Sequence, residues 1–456
     1  MSGSAVDLVV VGAGIAGLTV AQEVARAGHR VVVLDAGEKP GGLLRARELA
    51  GVAIDVGAES FATRTSGVAD LIAEAGLDLS IVSPATPGAV IAAVDDSDPR
   101  AGATILRAAL PRATVLGIPS DPHADDVVRI LGRAGAHRVA AEVIDGHAGD
   151  GPEPSLADLV AAQCGETLLR RLVDPLCRSV YSLPADRLLL SRVHPAMWRE
   201  YRARGSLVAA AAAVAAPGRA GAAVAGIAGG MWRLADALGR AAGSEGAQLH
   251  GRTVVRSLAS TPEGIEVHAD GGTWSARRVV VATGPRAAAA LLDPAAERAH
   301  DVAVRVVAAR VDEPAFDAHP VGSGVIVAHE VPSAAKALTH VTAKWAWAAE
   351  AVPAGAHVFR LSLRDPGSGR LVDRDDIARE IALLTGVPVD PARVTEVTGA
   401  EWDDATGALA ISDERREHWR EAGVILAGAG VAGTGLASVV PHARGVAAEL
   451  RALLAA

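Results

Sequence analysis

The stretch VVVGAGIAGLTVAQEVARAGHRVVVLDAG, residues 9–37, constrains the fold more than any other part of the chain. An apolar run ends in Gly12, Gly14 and Gly17, spaced G-x-G-x-x-G. The first glycine permits a tight turn, the second lets backbone approach a pyrophosphate, and the third lets helix and strand pack closely. Residues 16–27 then carry Leu18, Val20, Ala21, Val24 and Ala25 at helical spacing. A second apolar run closes on Asp35, eighteen residues after Gly17, where a carboxylate can accept hydrogen bonds from a ribose. Strand, turn, helix, strand and acid in this order predict a dinucleotide-binding βαβ unit, with the phosphates at the helix N-terminus. At this point NAD and FAD both remain open.

Composition limits what surrounds that unit. A chain of 456 residues is long enough for two or three domains. Its formal net charge of −9 argues against non-specific binding of nucleic acid. The two cysteines, Cys164 and Cys177, indicate a reducing compartment and no disulfide framework, which predicts a cytoplasmic protein. No metal-ligand spacing is present, so no metal is expected. The opening MSGSAVDL lacks the pattern of a signal peptide. The longest apolar run, residues 206–218, is alanine-rich and too short to span a bilayer, so membrane contact is expected to be peripheral at most.

Nucleotide-domain features recur at three places. After the first unit, the rhythm breaks over residues 86–227, where proline-bounded helical segments dominate. It returns at AGGMWRLADALGRAA and at RRVVVATGP, and again in AGAGVAGTGL near the C-terminus. Residues 300–365 show alternating strands. The expected division is residues 1–85, 228–290 and 395–456 for a nucleotide-binding domain, 86–227 for a helical insertion, and 291–394 for a substrate-domain β-sheet.

A second glycine pair, Gly41-Gly42, follows Asp35, and an Asp55-x-Gly57 turn leads to Glu59. With AGAGVAGTGL and VVVATGP, this pattern resembles the FAD-binding segments of the amine oxidase and protoporphyrinogen oxidase superfamily. The insertion narrows the resemblance. SLADLVAAQCGETLLRRLVDPLCRSVYSLPADRLLL, LPRATVLGIPSDP, AGGMWRLADAL and KALTHVTAKWAWAA are similar, in order, to segments of the protoporphyrinogen and coproporphyrinogen oxidase family. The resemblance covers nearly the whole chain. It implies an α/β fold: a Rossmann-like FAD-binding domain (amine-oxidase/PHBH type) with an interleaved α+β substrate domain and a helical insertion. It also implies non-covalent FAD, held by Gly12, Ala13, Gly14, Ile15, Ala16, Gly17, Asp35, Ala36, Gly42, Leu43, Gly57, Ala58, Glu59, Ser60, Val255, Thr434, Gly435 and Leu436. The implied substrate is a porphyrinogen, coproporphyrinogen III favoured over protoporphyrinogen IX, with dioxygen as acceptor and a ferrochelatase as recipient of the product. Arg178, Ser179, Tyr181 and Lys344 are candidate substrate contacts.

Several residues carry two readings. Tyr181 is either substrate-domain core or a pocket wall. Lys344, on an expected strand before Trp345, is either functional or an edge lysine that discourages aggregation. His194, His340 and His442 read as isolated, and no acid–base pair is evident. Residues 170–204 hold eight arginines against Asp174, Asp186 and Glu200, so they either attract an anionic ligand or form a solvated face. The chain departs from the family at Leu43, at Ser179 where a glycine is common, at Thr406-Gly407-Ala408 and at Pro441-His442. Those departures leave two other readings open: another flavin oxidase of the superfamily acting on an amine or a polyene, and a flavin-binding homologue with a decayed pocket.

Overall fold

The computed structural model describes residues 6–86, 88–95, 104–144, 151–215, 224–294, 302–364, 373–406, 409 and 411–455. Val6–Val11 runs parallel to Val31–Leu34 on one side and to Gly272–Val281 on the other. A parallel strand in that position is covered on both faces, which is why its buried part, Leu8–Val11, is an unbroken apolar run. Leu8 and Val10 join a core with the helix residues Leu18, Val20 and Ala21, while Val9 and Val11 join a second core with Val32, Val279 and Leu292. The strand order is Gln248–His250, Val31–Leu34, Val6–Val11, Gly272–Val281, Gly264–Ala269 and Val255–Thr261, and Val424–Leu426 pairs in parallel with residues 279–281. The first helix, Ile15–Arg26, lies between the helices Trp232–Ser244 and Leu436–Ala455.

A second seven-stranded sheet has the order Val394–Thr406, Val302–Val311, His357–Leu363, Ala335–His340, Gly324–Val327, Val90–Asp95 and Thr104–Ala109. Phe359, Leu361 and Leu363 face a core shared with Ile377 and Ile381 of the helix Arg374–Thr385. Helices between residues 125 and 214 form a further core around Leu168, Leu172, Cys177 and Tyr201.

This topology moves the expected boundaries. Val90–Asp95, Thr104–Ala109 and Val394–Thr406 belong to the second sheet, and Val224–Ile227 pairs with Phe61–Ala62 and Ile81–Val82 beside the first. Each shift comes from pairing between strands far apart in sequence, which local periodicity does not encode. The alanine-rich run forms the helix Leu207–Val214, capped by Ser206, with the Glu142 carboxylate accepting from Leu207 N at 2.5 Å. Among the described residues no helix is long and apolar enough to cross a membrane.

His340 is not isolated. Its Nε2 lies 3.1 Å from Nδ1 of His357, whose Nε2 lies 3.1 Å from Asp317. Burial, then the neighbouring His357 and His319, push the His340 imidazole down to about 3. It is therefore neutral in the fold and takes a proton near pH 6.5 once unfolded. Stability is expected to be complete above pH 6.5 and to fall as pH drops from there towards 3. Denaturation free energies measured across that window should show a shallower slope for His340→Gln, and an unchanged slope would refute the assignment.

Candidate functional site

The three glycines of the first turn stand where their spacing requires. Gly12 has φ +102°, and a Cβ on it would lie 2.8 Å from the Ala282 carbonyl oxygen. A Cβ on Gly17 would lie 2.0 Å from the Gly12 oxygen, so only glycine lets the helix seat on the turn. Gly14 is different: nothing lies within 4 Å of the added atom. Among the described residues no side chain caps the helix that Gly14 begins, which leaves its first-turn N–H groups for a ligand to satisfy. Ile15 is partly buried and Ala16 is buried in the core behind the turn.

Asp35 ends the strand Val31–Leu34 and turns onto the same loop. Its Oδ2 accepts from Ala13 N at 2.6 Å and its Oδ1 from Gly37 N at 2.7 Å. Residues 250–253 run alongside: Asp35 N donates to His250 O, Thr253 N to Asp35 O and Arg252 N to Gly37 O. Val255 therefore begins its strand two residues beyond this contact, partly buried, while Ala36 is exposed at the turn.

The second glycine pair stacks on the first. Gly41 N donates to Ala13 O at 2.8 Å, and a Cβ on Gly42 would come within 3.2 Å of Gly14 Cα. A Cβ on Gly57 would lie 1.8 Å from the Leu43 carbonyl oxygen, which accepts from Ala58 N at 2.9 Å. Trp402 Nε1 donates to Gly42 O at 3.3 Å. From the C-terminal segment, Gly428 approaches Ala16, a Cβ on it lying 3.8 Å from Ala16 Cβ. Gly433 and Gly435 have φ +80° and +94° with open space around them, Thr434 is half-buried, and Leu436 is buried at the start of the last helix. Gly407 and Ala408 of the departure noted above lie outside the described residues. The result is a trough lined by backbone N–H groups and glycines, ended by a carboxylate. That donor set suits a dinucleotide: the pyrophosphate at the open face of Gly14 and a ribose at Asp35.

Glu59 and Lys344, read separately in the sequence, meet. Lys344 Nζ lies 2.7 Å from Glu59 Oε1, Thr339 Oγ1 donates to the same oxygen at 3.1 Å, and Arg360 Nη1 is 3.4 Å from Oε2. Arg360 also donates to Gly57 O. Burial alone would raise the Glu59 carboxyl, but Lys344 and Arg360 outweigh it and hold it at about 2. Glu59 thus stays ionised at neutral pH and anchors Arg360 of the second sheet and Lys344 of the segment after its Ala335–His340 strand to the 57–60 turn, where Ser60 is half-buried. Lys344 ends a short helix, Val341–Lys344, instead of lying on a strand, because the Ala335–His340 strand stops at His340. Its burial in this ion cluster also removes the edge-lysine reading. Sequence reasoning missed Arg360. The available signal was an arginine between apolar residues in HVFRLSL, a strand paired on both sides, where a charge needs a partner.

The arginine-rich stretch divides. Arg170, Arg187, Arg192, Arg199, Arg202 and Arg204 are exposed, and Arg171 is engaged by Glu330 at 2.9 Å. Arg178 is half-buried on the helix Asp174–Val180, with its Nε 2.6 Å from Asp174 Oδ2. It lines a cleft of about 330 Å³ with Arg170, Asp174, Asp186 and His329. The preceding turn, Leu169–Val173, is a π-helix, and Arg170 O accepts from His329 N at 3.2 Å, joining insertion to sheet. Ser179 Oγ is buried with no hydrogen-bond partner among the described residues. Tyr181 belongs to the core of the insertion, where burial raises its hydroxyl pKa.

Residues 15–380 match the family of flavin-containing amine oxidoreductases. The coproporphyrinogen III oxidase of Mycobacterium leprae is 30% identical over 420 residues, spanning 87% of this chain and 86% of that protein. The enzyme of the same name from Mycobacterium tuberculosis is 29% identical over 401 residues, 84% of each chain. Among solved structures, a provisionally assigned protoporphyrinogen oxidase from Exiguobacterium sp. 255-15 superposes with a TM-score of 0.79 at 21% identity, covering 99% of this chain and 100% of that one.

Proposed function

The chain belongs to the flavin-containing amine oxidoreductase family, and from that premise we propose that it oxidises a porphyrinogen to the porphyrin, with coproporphyrinogen III the preferred substrate. The reading is carried by the reach of the mycobacterial similarity, which runs through the helical insertion and the second sheet as well as the glycine turns. We assign FAD as the flavin. The residues that would hold it are the 12–17 turn, Asp35 and Ala36, Gly42 and Leu43, the 57–60 turn, Val255, and 434–436. Residues 428–436 contain neither cysteine nor histidine, in keeping with non-covalent binding.

FAD, when bound, supplies the two-electron acceptor that side chains lack and passes the electrons to dioxygen. Porphyrinogen oxidation releases six electrons and six protons in three such steps, with one hydrogen peroxide formed from each dioxygen. The protein's part is to bind and align. The first-turn N–H groups of the helix Ile15–Arg26 receive the pyrophosphate, Asp35 orients the ribose, and the Glu59–Lys344–Arg360 cluster fixes the second sheet against the 57–60 turn. Glu59 is held ionised between two cations and is a positioning residue, not a proton shuttle. The six protons travel through solvent water and end, with the six electrons, in three hydrogen peroxides. An amine substrate is disfavoured because residues 427–438 contain no aromatic side chain of the kind that flanks the flavin in amine-oxidising members. A cytoplasmic location, and release of the product to a ferrochelatase, complete the reading.

The test is the visible spectrum of the purified protein after aerobic incubation with each porphyrinogen. Coproporphyrinogen III should give its porphyrin faster than autoxidation, and kcat/KM should exceed that for protoporphyrinogen IX. The exposed arginines contribute only about 0.2–1 kcal/mol per charge pair, so the preference should shrink as salt rises. Colourless product with both substrates would overturn the assignment. A ratio of one at low and high salt would overturn the preference alone.

A further inference from the structure

Lys336 has no anion paired with it among the described residues. Its side chain is buried, 8% exposed, on the strand Ala335–His340, and it has no hydrogen-bond or ion-pair partner among the described residues. The position is a β-bulge: Ala335 pairs with Leu363 and Ala337 with Ser362, so Lys336 is the extra residue that the ladder skips. A bulge of this kind re-aims a side chain, and bulges are concentrated beside active sites. The bulge is held in place by Glu380, whose Oε1 accepts from Ala335 N at 3.0 Å and from the Ser333 hydroxyl.

The surroundings sharpen the anomaly. The strand packs against the helix Asp174–Val180, which carries Arg178. After burial, the charges that act on Lys336 are those of Arg178 and Arg360, both of its own sign, and together these influences push its ammonium down to about 8. At neutral pH it remains mostly charged. The carboxylates of this region are already engaged: Asp174 by Arg178 and Ala185 N, Glu59 by Lys344 and Arg360, Glu330 by Arg171, and Glu380 by the bulge itself. A buried cation among like charges is costly unless an anion arrives from outside the chain.

We propose that Lys336, with Arg178 beside it, is the receiving site for a carboxylate of the bound tetrapyrrole. Arg178 lines a cleft of the helical insertion that His329, just beyond the strand Gly324–Val327, also borders, and the strand that carries Lys336 packs on the helix that carries Arg178. A carboxylate there would turn an unfavourable pair of cations into a charge-assisted clamp. This assignment rests on the porphyrinogen reading and specifies where one propionate is held.

The experiment uses the flavin-loaded protein and Lys336→Met, which keeps an unbranched apolar stem one atom shorter and removes the charge. Two quantities are measured: the melting temperature without ligand, and the dissociation constant for coproporphyrin III by fluorescence titration, with the tetramethyl ester as a carboxylate-free control. Lys336→Met should melt several degrees higher, because an uncompensated charge is gone. It should bind coproporphyrin III about tenfold more weakly, the loss of one charge-assisted contact. It should bind the ester as the wild type does, and KM for coproporphyrinogen III should rise with kcat little changed. Binding of the free acid as tight as wild type would overturn the carboxylate site while leaving the porphyrinogen reading intact. A lower melting temperature with equal losses for acid and ester would assign Lys336 a structural role and also overturn it. Protection of the wild type by acetate or phosphate alone, lost in Lys336→Met without change in porphyrin affinity, would make this a generic anion site and defeat the proposal. A wild type that binds no coproporphyrin and oxidises no porphyrinogen would defeat both readings together.

Discussion

Gly14→Val is expected to yield a folded protein that purifies without flavin. The position tolerates a side chain as far as the protein is concerned, since no atom lies within 4 Å of an added Cβ and φ is −73°. The open space is the face of the turn where the helix N-terminus meets solvent, and a branched side chain would fill the approach of the pyrophosphate. The far-UV spectrum and the melting temperature of the ligand-free protein should match those of the flavin-stripped wild type, while the absorbance of bound flavin disappears. This separates Gly14 from Gly17, where an added Cβ would lie 2.0 Å from a backbone oxygen and folding itself would suffer. A yellow Gly14→Val protein with stoichiometric flavin would show that the trough is not the binding site.

Glu59→Ala is expected to be among the most destabilising single changes in the molecule. It removes the shared anion of Lys344 and Arg360, whose side chains are 12% and 11% exposed. Breaking a buried ion cluster by deleting one partner typically costs about 3–5 kcal/mol, because the remaining charges stay buried. The same cluster has a pH signature. The Glu59 carboxyl is lowered from 4.5 to about 2, so its contribution is complete above pH 4.5 and is lost as pH falls from there towards 2. Chemical denaturation should show the large loss at pH 7, and the acid limb between pH 4.5 and 2 should flatten in Glu59→Gln. Full stability of Glu59→Ala at pH 7 would mean that the cluster is not a structural joint. Lys344→Met with Glu59 intact should also destabilise, since it leaves a buried carboxylate with Arg360 as its only close cation among the described residues.

Residues close in sequence account for what could be read without coordinates. The G-x-G-x-x-G turn, its helix and Asp35 lie within one βαβ unit, and each glycine answers a local steric demand, so spacing alone determined that unit and the class of ligand it suits. The alanine-rich helix and the alternating strands were equally legible, because helical and strand periodicities are short-range properties. The pairing of distant segments was not. Val394–Thr406 looks like part of the first domain by position, yet it pairs with Val302–Val311. Asp55 looks like the acid of a local turn, yet its carboxylate accepts from Met231 N at 2.7 Å and Trp232 N at 3.0 Å, receiving the start of a helix from another part of the chain. Burial, outweighing those two bonds, pushes it up to about 7. The arginine count of residues 170–204 left an anionic site and a solvated face both open, and only the packing separated six exposed side chains from Arg171 and Arg178. Lys336 opens the KALTHVTAKWAWAA segment, but its place in the sequence assigns it no role of its own. Its meaning comes from a skipped rung in the ladder and from like charges brought by a helix and a neighbouring strand. Hydrogen-bonded turns and periodic faces are encoded by neighbours, but burial, charge partners and register are set by whichever distant elements close around a residue.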